Sequence, residues 1–80
     1  MNGTVKTPLP GTFYRRPSPD AEPFVEEGDA IAAGEVVGLI EIMKTFHEIR
    51  SDTDGVVARF LVENEELVDA GQDIIALEPS

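Results

Sequence analysis

The chain has 80 residues, enough for one domain with a modest core. It contains no cysteine and a single histidine, which excludes a disulfide framework, a thiol nucleophile and a zinc site rich in Cys or His. Its 16 acidic and 6 basic residues give a net charge of −10, so neither a nucleic-acid backbone nor an anionic membrane is an expected partner.

The N-terminal residues 1–7 carry no apolar signal core, and no run in the chain approaches the length of a membrane span, so we expect a cytoplasmic protein. Further along, turn signals separate short runs rich in Val, Ile, Phe and Thr, such as residues 36–42, 56–62 and 74–77. None of these runs keeps a helical period over three turns. The pattern predicts an all-β sandwich or barrel, and the acidic segment 63–69 is more consistent with a loop than with a helical turn.

The sequence also contains an internal repeat. Residues 25–41 align with residues 62–78 at a shift of 62 − 25 = 37 positions, and residues 5–15 align with residues 49–59 at a shift of 49 − 5 = 44. The two shifts differ by 44 − 37 = 7, so the first half carries a seven-residue insertion between about Arg15 and Val25.

The insertion is rich in proline. It comprises Pro17, Ser18, Pro19, Asp20, Ala21, Glu22 and Pro23. Each proline fixes its φ angle and lacks an N–H donor, so this segment cannot form a central strand. We expect a fairly stiff loop that projects from the domain and that folding does not require.

The repeat locates a turn that composition hides. Residues 36–50 contain no Pro, Asn or Asp, and as one strand they would be unusually long. The joint between the repeats falls between residues 41 and 49, so we predict a hairpin there with Met43 and Lys44 near its tip. Tight hairpins prefer Asn-Gly because they need positive φ, and Met-Lys is therefore poor turn chemistry. Sequence rules for local structure often fail at residues that are kept for function, so the poor turn residues Met43 and Lys44 indicate a functional site.

These residues carry a family resemblance. Glu41-Ile42-Met43-Lys44 resembles the Glu-Ala-Met-Lys motif of biotinyl domains, and residues 11–20 resemble the segment that leads through the protruding thumb of biotin carboxyl carriers. The similarity covers about residues 4–78. It implies a flattened barrel of two four-stranded antiparallel sheets with two-fold pseudo-symmetry. It also implies biotin attached to the Nζ atom of Lys44 through an amide.

The resemblance further implies a non-catalytic carrier in fatty acid synthesis. A biotin protein ligase would modify Lys44, a biotin carboxylase would load the biotin, and a carboxyltransferase would pass the carboxyl group to an acyl-CoA, with acetyl-CoA favoured by the thumb. The isolated domain is expected to be a monomer. Glu41, Ile42, Met43 and Thr45 are candidate ligase-recognition residues, although the family usually has alanine at position 42 and often methionine at position 45.

Lysine suits this role on chemical grounds, because amide formation needs a primary amine on a long flexible stem. Near the predicted tip we expect Phe46 and Ile49 in the core and His47 on the strand surface. Residues 52–55 resemble a calcium loop only faintly, because its first acidic ligand and closing glutamate are missing, and we interpret them as a turn.

Three other carriers or modules compete with this interpretation. A lipoyl carrier shares the fold, but usually shows Asp-Lys-Ala where this chain has Met43-Lys44. A phosphopantetheine carrier would be helical and modified on serine. A third alternative is a β module that retains the fold without any modification. The mass of the intact protein distinguishes a biotin adduct, a lipoyl adduct and no adduct on Lys44.

Overall fold

The computed structural model describes residues 3–79, which form eight strands. The strands are β1 (Thr4–Lys6), β2 (Gly11–Tyr14), β3 (Ala30–Ile31), β4 (Val36–Ile42), β5 (Thr45–Arg50), β6 (Gly55–Phe60), β7 (Leu67–Val68) and β8 (Asp73–Glu78). Residues 63–66 form a turn, as the sequence favours, and residues 51–54 are a turn that leads into β6. Over residues 3–79 there is no helix of the length and apolarity that a membrane crossing requires.

The strands form two four-stranded sheets in which every pairing is antiparallel. One sheet has the order β1-β8-β6-β3 and the other the order β5-β4-β2-β7. The predicted all-β architecture of two four-stranded sheets is therefore confirmed. We call the second sheet the hairpin sheet, because it contains the β4–β5 hairpin.

The repeat is visible in the backbone hydrogen bonds. A shift of 44 carries β1 and β2 onto β5 and β6, and a shift of 37 carries β3 and β4 onto β7 and β8. The Gly34 N–H donates to the Ser51 carbonyl at 2.7 Å, and its equivalent, the Gly71 N–H, donates to the Thr7 carbonyl at 2.7 Å. Both glycines have positive φ, 91° and 81°. The two halves therefore fold alike, and differences between them mark features that the fold itself does not require.

The core lies between the inner faces of the two sheets and is almost entirely aliphatic. Its buried residues are Val5, Phe13, Val25, Ile31, Val37, Ile40, Ile49, Val57, Val62, Val68, Ile74, Ile75 and Leu77. Fully burying such a side chain contributes about 1.5–3 kcal/mol. Both halves contribute equivalent strands to this core, so a rigid barrel results without disulfides.

Candidate functional site

Strands β4 and β5 are joined by a two-residue turn at Met43 and Lys44. The last paired residues are Ile42 and Thr45, and the φ angles in between are 48° at Met43 and 67° at Lys44. Two consecutive positive φ angles are the geometry that matches the twist of an antiparallel hairpin. The predicted hairpin and its tip are therefore confirmed. Each left-handed residue other than glycine costs roughly 1–2 kcal/mol, so the tip is a strained segment.

The tip is presented to solvent. The Met43 side chain is 93% exposed, and Lys44 and Thr45 are exposed as well. Ile42, by contrast, is partly buried and packs against the core, so it anchors the hairpin rather than presenting a free surface. Of the four residues expected to contact a ligase, Met43 and Thr45 are thus freely accessible.

Among the described residues, Lys44 is the lysine without a partner. The chain has two lysines, and the other, Lys6, forms an ion pair with Asp73. Within residues 3–79, the Lys44 amine makes neither a hydrogen bond nor a salt bridge. An exposed primary amine at the tip of a rigid hairpin can act as a nucleophile toward an activated acyl group that another protein brings.

Glu41 is held away from the tip. The Tyr14 hydroxyl donates a hydrogen bond to Glu41 Oε1 at 2.9 Å, across the β2–β4 pairing. This hydrogen bond raises the pKa of Tyr14, because an ionised tyrosine could no longer donate it. Desolvation of the hydroxyl and the negative charge of Glu41 raise the pKa further. Glu41 is therefore part of the outer face of the hairpin sheet, beside its paired residue Phe46.

The expectation that Phe46 lies in the core is wrong. Its side chain is 55% exposed, whereas Ile49 is 1% exposed, as expected. Side chains alternate along a strand, so an inward Ile49 places Phe46 on the outer face. His47 lies on the same side of β5 as Ile49 and is half-buried, so it is only partly on the strand surface where it was expected. The Phe46 ring packs at 58° against the Tyr14 ring, with centroids 5.8 Å apart, a tilted aromatic pair.

The insertion forms a loop beside this aromatic pair, and we call residues 16–23 the thumb. Strand β2 ends at Tyr14, whereas its repeat β6 continues to Phe60, the equivalent of residue 60 − 44 = 16. The loop closes at its base, where the Phe24 N–H donates to the Arg15 carbonyl at 2.9 Å. Residues 17–20 are exposed, so this part of the thumb faces solvent.

A cleft of about 470 Å³ lies between the thumb and the hairpin sheet. Its lining combines aromatic rings, one face of the thumb and part of the β6–β7 loop: Tyr14, Arg16, Pro17, Ser18, Pro19, Phe46, Asn64 and Glu65. The structure thus brings four thumb residues to the cleft, Arg16, Pro17, Ser18 and Pro19, while Asp20, Ala21, Glu22 and Pro23 do not line it. Over residues 3–79, no group of three or more His, Asp and Glu side chains could hold a metal ion.

Sequence reasoning missed four lining residues, Tyr14, Phe46, Asn64 and Glu65. For one of them, Tyr14, comparison of the two repeats offered a signal. Tyr14 aligns with residue 14 + 44 = 58, an alanine, so a large aromatic side chain stands where the fold needs only a methyl group. The contribution of Asn64 and Glu65 depends on how the β6–β7 loop lies beside the thumb, and no local pattern reports that.

Comparison with known proteins identifies related chains. Residues 3–77 match the biotin/lipoyl family model, described as biotin-requiring enzyme. The chain is 44% identical over 75 residues to the biotin carboxyl carrier protein of acetyl-CoA carboxylase from Nostoc sp., covering 94% of this chain and 41% of that protein. It is 38% identical over 74 residues to the protein of the same description from Haemophilus influenzae, covering 92% and 48%. The chain thus spans less than half the length of these curated relatives.

Solved structures share the fold. The crystal structure of the Kluyveromyces lactis urea carboxylase matches with a TM-score of 0.76 and 24% identity, over 98% of this chain and 6% of that one. A single-chain, multi-domain long-chain acyl-CoA carboxylase matches with a TM-score of 0.78 and 20% identity, over 99% of this chain and 7% of that one. In both cases the likeness supports the fold of one small domain within a large protein.

Proposed function

The chain belongs to the biotin-requiring enzyme family, and on this basis we propose that it is a biotin carboxyl carrier domain with biotin joined to Lys44 Nζ through an amide. One observation carries the assignment of the residue. Lys44 is an exposed, unpaired amine within the described residues, on a two-residue turn whose positive φ angles suit Asn-Gly better than Met-Lys. Strain of this kind is kept where residues serve a purpose other than stability.

Attachment requires a biotin protein ligase that encloses the hairpin tip. The neutral lysine nitrogen would attack the carboxyl carbon of activated biotin, forming the C–N bond as the bond from that carbon to the activating group breaks, and the ligase would remove a proton from the ammonium group beforehand. Met43 and Thr45 are exposed beside Lys44 and offer the ligase a contact surface. Methionine is adaptable and suits such a contact. Glu41 and Ile42 would contribute indirectly, since one bonds to Tyr14 and the other packs on the core.

The domain would carry the group rather than transform it. When bound, biotin accepts a carboxyl group on a ring nitrogen at a biotin carboxylase and donates it at a carboxyltransferase. The rigid barrel and the projecting hairpin fit this task, because only the lysine–biotin arm needs to move between the two sites. The chain's own residues would present, orient and shield the arm, which is a non-catalytic role.

The acceptor that we propose is acetyl-CoA, which would place the carrier in fatty acid synthesis. Support comes from relatives that are named as carriers of acetyl-CoA carboxylase, at 37% and 44% identity. Since these relatives are about twice as long as this chain, the partner enzymes, a cytoplasmic location and a monomeric isolated domain all belong to the proposal.

The cleft beside the thumb fits one end of the arm. Its walls combine the Tyr14 and Phe46 rings with polar groups from Ser18 and Asn64. A largely apolar cleft with a few polar groups suits a small ligand that has an apolar body and a polar ring. We propose that the thumb leans over the biotin ring when the arm is not engaged by an enzyme.

Mass spectrometry of the intact protein tests the assignment. We expect co-expression with a biotin protein ligase to add one biotin, located on Lys44 by digestion. Lys44→Arg should fold and remain unmodified, because the guanidinium keeps the charge and lacks the nucleophilic amine. Lys6→Arg is the matched control and should be modified like the parent chain.

Three outcomes would contradict the proposal. An adduct on Lys6, or equal labelling of both lysines, would remove the site assignment. A lipoyl adduct after co-expression with a lipoyl ligase, with no biotin under the first conditions, would identify a lipoyl carrier. No adduct under either condition would identify an interaction module that retains only the fold.

A further inference from the structure

The base of the thumb is fixed by the opposite half of the molecule. The Arg15 N–H donates to Asn64 Oδ1 at 2.8 Å, and the Arg15 guanidinium lies 3.8 Å from the centre of the Phe60 ring. A cation at this distance over an aromatic face is attracted by the ring quadrupole. Both partners belong to the second repeat. The residue from which the thumb leaves the barrel is therefore held at its main chain and at its side chain.

The turn that carries Asn64 is itself fixed to strand β2. The Glu65 N–H donates to the Phe13 carbonyl at 2.6 Å, and the Phe13 N–H donates to the Glu66 carbonyl at 2.9 Å. Phe13 is fully buried, so these bonds tie the turn to the core. Asn64 is thus presented to Arg15 from a rigid support, although its own side chain is exposed.

The repeat shows that the fold does not need the Asn64 contact. Asn64 is equivalent to residue 64 − 37 = 27, a glutamate, and Arg15 to residue 15 + 44 = 59. Within residues 3–79, the Glu27 side chain makes no hydrogen bond to the Arg59 main chain, and Arg59 pairs with Ala76 in its sheet. Among the described residues, the Arg15–Asn64 hydrogen bond therefore has no counterpart at the equivalent pair of the other half, where no loop is inserted.

Glu65, which follows Asn64 in the second repeat, has a strained backbone conformation. Glu65 has φ 68°, whereas its equivalent in the first repeat is Gly28 with φ 93°. Both residues donate the same type of main-chain bond, from Gly28 to the Val57 carbonyl at 2.8 Å in the first repeat. A left-handed residue with a side chain is less favourable than glycine. Glu65 lines the cleft next to Asn64, so the unfavourable backbone conformation of Glu65 lies at the wall of the cleft.

We propose that Asn64 is a positioning residue for the thumb. By accepting the Arg15 N–H, it fixes the direction in which the thumb leaves the barrel, and hence the width of the cleft between the thumb and Phe46. Only the identity of the cleft's occupant rests on the proposed function. The contact between Asn64 and the thumb exists in the unmodified chain and is tested there.

The test compares four forms of the unmodified domain by NMR: the parent chain, Asn64→Leu, Asn64→Asp and Glu27→Leu. Leucine has a similar volume but no acceptor, whereas aspartate keeps an acceptor oxygen at the same place. We expect Asn64→Leu to speed amide exchange at Arg15 about fivefold, the ratio that corresponds to one ordinary hydrogen bond. We also expect backbone order parameters over residues 16–23 to fall from about 0.85 toward 0.6 or below. Asn64→Asp should restore both measurements, and Glu27→Leu should change neither.

Parent-like exchange at Arg15 and a parent-like thumb in Asn64→Leu would overturn the proposal. So would an equal effect of Glu27→Leu, because loss of thumb order would then report general loosening. If Asn64→Leu does not fold, Asn64→Ala replaces it with the same expectations. In the biotinylated domain, contacts between biotin-ring and thumb protons should disappear in Asn64→Leu and persist in Asn64→Asp. A chain that takes up no biotin would refute the proposed function, while the amide exchange would still decide the role of Asn64.

Discussion

Replacing Met43-Lys44 by Asn-Gly should stabilise the domain. Both residues adopt left-handed φ angles, 48° and 67°, at roughly 1–2 kcal/mol each for residues other than glycine and asparagine. The new glycine offsets about 0.5–1 kcal/mol of this gain, because glycine has more conformational freedom in the unfolded chain. Met43 is 93% exposed, so its removal sacrifices no core contact. The expected net gain is at least about 1 kcal/mol, which for a domain of this size corresponds to a rise in melting temperature of at least roughly 4–8 °C.

Thermal unfolding followed by circular dichroism measures this gain, and urea titration checks that the m-value is unchanged. Met43→Asn alone keeps Lys44 and should give part of the gain. Ala33→Gly is the control, because Ala33 is exposed and lacks a positive φ, so glycine there should cost about 0.5–1 kcal/mol. Lower stability of the Asn-Gly variant would refute the reasoning, since Met43 and Lys44 would then be structural residues.

Three further changes test other parts of the structure. Deletion of Pro17–Pro23 should leave a single cooperative melting transition, because the second repeat closes the same strand without those residues, and a molten product would contradict the repeat alignment. Gly38→Ala should lower the free energy of unfolding by about 1–3 kcal/mol in a urea titration, because an added Cβ would lie 2.6 Å from the Phe13 ring, and an unchanged value would show that the ring can move. The hydrogen bond from Lys6, followed by that from a neighbouring threonine, lowers the pKa of Asp73 below its ordinary value of about 3.8–3.9. The resulting stabilisation is complete above that ordinary value and is lost as pH falls through the pKa of folded Asp73. Asp73→Asn should therefore flatten the dependence of the free energy of unfolding on pH below about pH 4. An unchanged dependence in acid would show that the Lys6–Asp73 pair adds no stability.

The sequence predicted the fold because the internal repeat gives non-local information that single segments lack. The two alignment shifts located the insertion, and the joint between the repeats located the hairpin without any turn residue at its tip. The repeat's turns also agree with local chemistry, as at Gly34 and Gly71, where positive φ favours glycine. Repeat alignment and turn chemistry therefore predicted the all-β class, the hairpin and the insertion, whereas the arrangement in two four-stranded sheets was predicted from the family resemblance.

The cleft could not be predicted in the same way. Phe46 was wrongly predicted to lie in the core. The face of the sheet on which its side chain lies depends on the register of β5, and a one-residue slip moves every side chain of a strand to the other face. With mixed residues around the hairpin, hydrophobicity alone does not fix that register. The contact between Tyr14 and Glu41 joins residues 27 positions apart, and it depends on which strands are neighbours in the sheet.

The positions that break the repeat gather on the outer face of the hairpin sheet. Tyr14, Leu39 and Leu67 lie there, and their equivalents on the other sheet are all alanine: Ala58, Ala76 and Ala30. Because the two halves share one fold, large side chains on one outer face only are not explained by folding. The same asymmetry applies to the thumb and to the Asn64 contact. Each of these departures lies on or next to the hairpin sheet, whose β4–β5 turn carries Lys44. In a domain built from two similar halves, selection for stability acts on both halves, whereas the proposed attachment of biotin at one hairpin tip would act on the hairpin sheet alone.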